Sequence, residues 1–238
     1  MELLLKRKSI KKVYLEKINF KSYVMQHFVQ DIAFLFKKIL INRVEEIMNY
    51  MGDEKFWNEK FQARSDKPLN PDNALVYNIK KLKMGSVLDI ACGDGRNALF
   101  LLENGFEVMG IDFSYVALER LKKFSERKNY NVKIKCVDLS KSYALDDLGV
   151  FDNILINHFK LDKELLIKLK DHIVEDGIVI ISGFGHEHKP DLRIRQCDLI
   201  QKEDISSIMK FFHLISCEEN KDSRGFFVTY ILKRNSLK

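Results

Sequence analysis

From residue 53 onward the chain repeats one pattern, a short aliphatic run followed by a segment with helical spacing. SVLDI, FEVMGID, VKIKCVD, FDNILIN and GIVIIS read as buried parallel strands. Between them, residues 98–104, 114–128, 162–174 and 203–212 carry helical patterns. Gly105 and Gly177 close two of these, and Ser114 and Asp162 stand where N-caps belong. Strands that alternate with helices must be joined in parallel through crossovers, so the expected class is α/β. The end changes character: HLISCEE and GFFVTYILK flank the turn-rich NKDSR, which predicts a hairpin. The expected sheet therefore has seven strands, mostly parallel, with the last one antiparallel.

Charge separates the first fifty residues from the rest. They hold ten Lys/Arg against five Asp/Glu, whereas the remaining chain holds thirty against twenty-nine. The net charge of +6 is thus mostly a property of the N-terminal region, and nucleic acid is disfavoured as a substrate. Within that region Phe28, Ile32, Leu35, Ile39 and Ile47 recur at helical spacing, with Phe36, Leu40 and Val44 beside them. We divide the chain into a basic helical extension, 1–52, and an α/β domain, 53–238. The extension helix is expected to pack on the domain, on a second copy or on a partner, with an anionic membrane surface as the alternative. No run approaches the length of a transmembrane segment. Four scattered cysteines without a C-x-x-C pair fit a reducing cytoplasm.

Ligands of an open α/β sheet bind beyond the carboxyl ends of the strands, where the strand order reverses. Three acids fall at successive strand ends: Asp89 in VLDIACGDGRNA, Asp112 in GIDFS, and Asp138 after Val137. Gly93 and Gly95, on either side of Asp94, let the backbone turn sharply and approach a ligand without a Cβ in the way. A carboxylate at Asp112 can accept both hydroxyls of a ribose. One at Asp138 can accept a hydrogen bond from the exocyclic amine of an adenine lying against Val137 and Leu139. Together they describe an adenosine site. Asp89 and Asp94 would repel a pyrophosphate, which argues against a nicotinamide dinucleotide, and they suit a sulfonium and an ammonium. Each acid also has an ordinary alternative, since a strand-end aspartate often caps the next helix. Arg96 and Asn97 read first as residues that fix the loop.

VLDIACGDGRNALFLLENGFEVMGIDFS resembles the cofactor-binding core of class I S-adenosylmethionine-dependent methyltransferases. GDGRNA and the following G-F-x-V-x-G-I-D-F-S are similar to the small-molecule branch, around the tellurite-resistance and thiopurine methyltransferases. The resemblance spans residues 56–235 and is more specific in its first half. It implies a doubly wound, Rossmann-like sheet and S-adenosylmethionine as cofactor. It implies further that Asp89, Ala91, Gly93, Asp94 and Gly95 border the methionine moiety, Asp112 the ribose, and Val137, Asp138 and Leu139 the adenine. Phe113 and Ser114 would flank the adenosine.

FDNILINHFK occupies the fourth strand, where this fold places residues facing the transferred methyl. Amino-methylating enzymes of nucleic acids and proteins often carry an Asn/Asp-Pro-Pro-aromatic tetrapeptide there, whereas this chain has Asn157-His158-Phe159-Lys160. Asn157 and His158 are the catalytic candidates. An imidazole titrates near neutrality and can orient a substrate or take its proton, though a polar residue at a strand end needs no function. Upstream, Trp57 and Phe61 share a helical face and serve either as core or as a lid that excludes water. Arg64 is assigned to the methionine carboxylate by charge and resemblance. His186 and His188 lack a third ligand of clear spacing, so no metal is expected. The long connection 183–201 that carries them fits substrate gating better. The expected function is in-line methyl transfer from S-adenosylmethionine to a small molecule. The alternatives are an RNA or protein methyltransferase docked through the basic helix, and a non-catalytic binding protein on the same fold.

Overall fold

A computed structural model describes residues 53–191 and 194–236, together with Ile32, Phe34, Lys37 and Lys38. The chain divides into two compact units, Met1–Tyr50 and Met51–Lys238. In the first, the four described residues are helical and exposed. The rest of the expected amphipathic helix, and whatever it contacts, lies outside the described residues.

The second unit is built on one seven-stranded sheet in the order β3-β2-β1-β4-β5-β7-β6. Its strands are β1 (Ser86–Ile90), β2 (Glu107–Asp112), β3 (Lys133–Cys136), β4 (Phe151–Asn157), β5 (Ile173–Phe184), β6 (Phe212–Asp222) and β7 (Gly225–Arg234). β1, β2, β3, β4 and β5 pair in parallel, and β7 runs antiparallel to both β5 and β6. The aliphatic runs are continuous because both sheet faces are covered, and successive side chains enter opposite layers. Leu88, Ile90, Ile154, Ile156, Val179 and Ile181 fill one apolar cluster. Val87, Leu155, Ile178 and Ile180 fill the other, against Leu118, Leu121 and Phe124. Each such buried side chain contributes about 1.5–3 kcal/mol relative to exposure.

The helices are α1 (Glu54–Gln62), α2 (Asn73–Asn78), α3 (Arg96–Glu103), α4 (Tyr115–Arg127), α5 (Lys163–Lys168) and α6 (Lys202–Ser206). Ser114 Oγ accepts the Ala117 N–H and Asp162 Oδ1 the Leu165 N–H, so both expected caps form. Two helices are shorter than their patterns. α5 stops at Lys168 and a 3-10 turn, Leu169–Asp171, leads into β5, which starts at Ile173 opposite Phe151. Residues 172–174 thus belong to a turn and a strand. Asp176, at φ +61°, marks the irregular start of β5, where the register against β4 shifts. Likewise α6 ends at Ser206 and the wholly buried Phe212 opens β6. In both places an apolar residue that opens a strand continued a helical spacing by coincidence.

The switch of strand order lies between β1 and β4, so the ligand end of the sheet is where β1 meets α3. Gly95 makes that junction at φ +86°, and a Cβ there would run into Leu121. Gly105, which ends α3, has the same φ of +86° but open space around it. Gly105→Ala should therefore show the backbone cost alone, on the order of 1 kcal/mol. Gly95→Ala should lose clearly more, about 2–3 kcal/mol, because Leu121 must also move. Urea unfolding of the two variants measures both, and equal losses would contradict the packing at Gly95.

Candidate functional site

β1 leaves the sheet through three left-handed residues, Ala91, Gly93 and Gly95, at φ +56°, +55° and +86°. Left-handed backbone exposes N–H groups on the inside of the turn, and one of them finds a carboxylate. The Gly93 N–H donates to Asp112 Oδ2 at 2.8 Å, while the Ser114 N–H donates to Asp112 Oδ1 at 2.9 Å. Asp112, at the end of β2, thus joins the loop after β1 to the start of α4. Burial pushes its carboxyl up, against these backbone hydrogen bonds. Phe113 is half-buried beside it and Ser114 wholly buried.

The two acids of the glycine turn differ. Asp94 is buried, yet Arg64 Nη1 donates to its Oδ1 at 2.8 Å and Arg120 Nε and Nη2 approach its Oδ2 at 3.3 Å. Its charge is matched, and it does not set the sign of the loop. Asp89 is equally buried and Oδ2 meets no partner among the described residues. Burial, then the charge of Asp112, pushes its carboxyl up to about 8, although the Ala98 N–H favours the charged form. Asp89 is the one acid of the loop with an unmatched, buried oxygen, and a cationic ligand group is what such an oxygen lacks.

The third strand contributes less order. β3 ends at Cys136, and the buried Val137 follows, its N–H donating to the Asp112 carbonyl at 2.9 Å. Asp138 is exposed, with the Ser140 N–H donating to Oδ1 at 2.9 Å. Hydrogen bonds from Ser140, side chain first, hold its carboxyl below the usual range. The half-buried Leu139 packs against the core.

The segment before β1 covers this end of the sheet. Phe61 is buried in the core, and Trp57 lies against it with ring centroids 5.6 Å apart. Of the pair considered as core or lid, Phe61 is therefore core. Arg64, assigned to a methionine carboxylate, pairs instead with Asp94 and sits 4.5 Å from the Phe61 ring centroid. Three further residues of the site carry no sequence signal for it. Asn58 Oδ1 accepts from Ser114 Oγ at 2.6 Å. Arg120 clamps Asp94 and also donates to the Ser65 carbonyl at 2.7 Å. Asp72 lies 2.8 Å from His158 Nε2 through Oδ2 while its Oδ1 caps α2. NPDN announces the cap, but nothing local announces a partner across the fold.

At the end of β4, Asn157 Oδ1 is buried without a partner among the described residues. His158 follows at φ +55°, and its N–H donates to the Ser182 carbonyl at 2.8 Å. Burial would push Asp72 up, but the hydrogen bond and charge of His158 outweigh it, and the carboxyl is held well below the usual range. In the connection after β5, His188 Nδ1 accepts the Phe226 N–H at 3.4 Å and the Ile200 N–H donates to the Phe184 carbonyl. Among the described residues no His, Cys, Asp and Glu group could hold a metal ion, and no helix is long and apolar enough to cross a membrane.

Residues 87–177 match the family profile of a methyltransferase domain. A curated relative, the ribosomal protein L11 methyltransferase of Thermosipho africanus (strain TCF52B), is 36% identical over 110 residues. That match takes in 44% of this chain and 40% of the relative, so the chain spans well under half of the relative's length. The fold is similar to that of TehB from Haemophilus influenzae, at a TM-score of 0.57 and 18% identity, covering 77% of this chain and 67% of that one. It is also similar to the Burkholderia thailandensis 1,6-didemethyltoxoflavin-N1-methyltransferase, at a TM-score of 0.54 and 16% identity, covering 68% and 76%. Residues 87–177 thus carry a methyltransferase domain, set in a sheet whose fold is similar to those of these two neighbours.

Asp89 makes the unliganded domain sensitive to pH in a definite direction. Its folded pKa of about 8 lies above the ordinary 3.8, so over the interval between them the folded state binds the extra proton. Stability contributed by this group is present at low pH and is lost as pH rises to about 8, at up to about 1.4 kcal/mol per pH unit. Asp89→Asn should flatten the profile between about pH 5 and 8. Urea titrations of both proteins across that interval provide the comparison, and parallel profiles would remove Asp89 from this role.

Proposed function

We propose that the protein transfers a methyl group from S-adenosylmethionine to a small molecule, with the cofactor lying over the ends of β1, β2 and β3. The observation that carries this reading is the unmatched buried oxygen of Asp89. It fits the ammonium of a methionine moiety, whose positive charge would favour the ionised form of this carboxyl. Each Asp112 oxygen accepts one N–H and has a lone pair left, which suits the two hydroxyls of a ribose. Val137 and Leu139 offer an apolar surface for an adenine, with Asp138 at its edge. When bound, the cofactor supplies an electrophilic methyl whose leaving group departs as a neutral thioether. The chain's task is to align an acceptor with that methyl and keep water out, and alignment alone is worth about 7–11 kcal/mol.

Two features favour a small acceptor. Asn157-His158-Phe159-Lys160 departs from the proline-bearing tetrapeptide of amino-methylating enzymes, and the domain is nearly neutral. The Burkholderia neighbour is named for a small heterocyclic substrate. A protein acceptor is the second reading, favoured by the name of the Thermosipho relative. S-adenosylhomocysteine release over a small-molecule panel, run beside ribosomal proteins, separates the two. Asp112→Ala should weaken S-adenosylhomocysteine by about 10²- to 10⁴-fold, the worth of two hydrogen bonds to a charged group. Unchanged affinity by calorimetry would remove Asp112 from the site.

A further inference from the structure

His158 is held more firmly than a polar residue at a strand end requires. Its backbone is left-handed at φ +55°, a conformation costly for a residue with a Cβ and concentrated at functional sites. Its N–H is fixed to Ser182 at 2.8 Å. Its ring lies with its centroid 5.8 Å from that of Phe227, edge to face, and 6.3 Å from that of Phe184. Its Nε2 meets Asp72 Oδ2 at 2.8 Å, whereas Nδ1 meets no hydrogen-bond partner among the described residues. The side chain keeps 30% of its surface exposed while the Asp72 side chain keeps 10%.

Resting on the methyl-transfer reading above, we propose that Asp72 is a positioning residue that holds His158 as the base for an acceptor with a proton to lose. An ionised carboxylate only accepts hydrogen bonds, so Nε2 facing it must carry the hydrogen. That choice leaves the Nδ1 lone pair open, the arrangement in which a buried carboxylate fixes the tautomer of a catalytic imidazole. The substrate class follows: a hydroxyl, a thiol or an ammonium, whose X–H bond must break. The proton goes to Nδ1, and the electron pair stays on X, where the bond to carbon forms. Asp72 balances the imidazolium until it returns its proton to water. An acceptor that is already an anion, or a neutral amine attacking through its lone pair, has no use for the pair.

The test uses the full chain labelled with 15N-histidine, as wild type, His158→Gln and Asp72→Ser. Serine caps a helix as well as aspartate does, but it is too short to reach His158, so α2 keeps its start. The His158 signals are those missing from His158→Gln. In the wild type they should show hydrogen on Nε2 and a bare Nδ1, and in Asp72→Ser a substantial shift toward hydrogen on Nδ1. Hydrogen on Nδ1 in the wild type, or an unaltered tautomer in Asp72→Ser, would overturn the proposal. With phenol, alkanethiol and alkylammonium probes, all of which still carry the proton at neutral pH, both variants should lower kcat by about 10²- to 10⁴-fold. S-adenosylhomocysteine affinity should stay within about threefold of wild type; an unchanged kcat for a probe that is methylated also overturns the assignment. If no probe is methylated, the tautomer decides alone. Failure of the wild type to bind S-adenosylhomocysteine sinks the methyl-transfer reading instead, and the two failures are told apart by calorimetry.

Discussion

The site depends on one carboxylate used as a rivet. Asp112 accepts the Gly93 N–H with one oxygen and the Ser114 N–H with the other. The glycine turn after β1 and the first turn of α4 are thereby held at a fixed separation across neighbouring strands. The rivet costs something, because burial raises the carboxyl against those same bonds. What the cost secures is preorganisation: a ligand arriving over β1 and β2 meets acceptor lone pairs that are already aimed. A loop held only by its glycines would have to be ordered at each binding event.

The charge of the turn is not the sum of its residues. In the sequence, Asp89 and Asp94 look like two equal negative charges. Folded, Arg64 and Arg120 match Asp94, while Asp89 lies next to Asp112 with one oxygen unmatched. With Asp94 matched and the Asp89 carboxyl pushed up to about 8, these two acids do not by themselves repel a pyrophosphate at neutral pH. Asp94 has become part of the frame, linking the cover segment to α4.

The parts of the fold that could be read in the sequence are those set by short-range rules. SVLDI and FDNILIN coincide with β1 and β4, and Ser114 and Asp162 cap their helices as their positions suggest. Hairpin strands β6 and β7 follow the same logic of apolar runs around a polar turn. Boundaries failed where an apolar residue satisfied two periods at once, as at 172–174 and 207–212. The acids at strand ends were legible because an open parallel sheet puts its ligand end at a definite place. The partners of His158 and Asp94 were not, because Asp72, Arg64 and Arg120 reach them across the fold. A pairing of that span leaves no periodic trace in the chain.

These long-range pairs share an origin. The segment before β1 sends Asn58 to Ser114 at the end of β2, Arg64 to Asp94 in the turn after β1, and Asp72 to His158 at the end of β4. The Asp72 N–H also donates to Asn97 Oδ1, and Arg96 Nε donates to the Asn70 carbonyl, so α3 is bound to the same segment. One strip of chain is therefore stitched to the strand ends on both sides of the switch point by single polar side chains. Each stitch is worth about 1 kcal/mol, or somewhat more where it is charged. They are too weak one by one to hold the strip, and strong together with Phe61 anchored in the core. A cover built this way can release locally at one stitch without unfolding the sheet beneath it. Arg96 and Asn97, which the sequence offered only as loop-fixing residues, fix the cover as well as the loop.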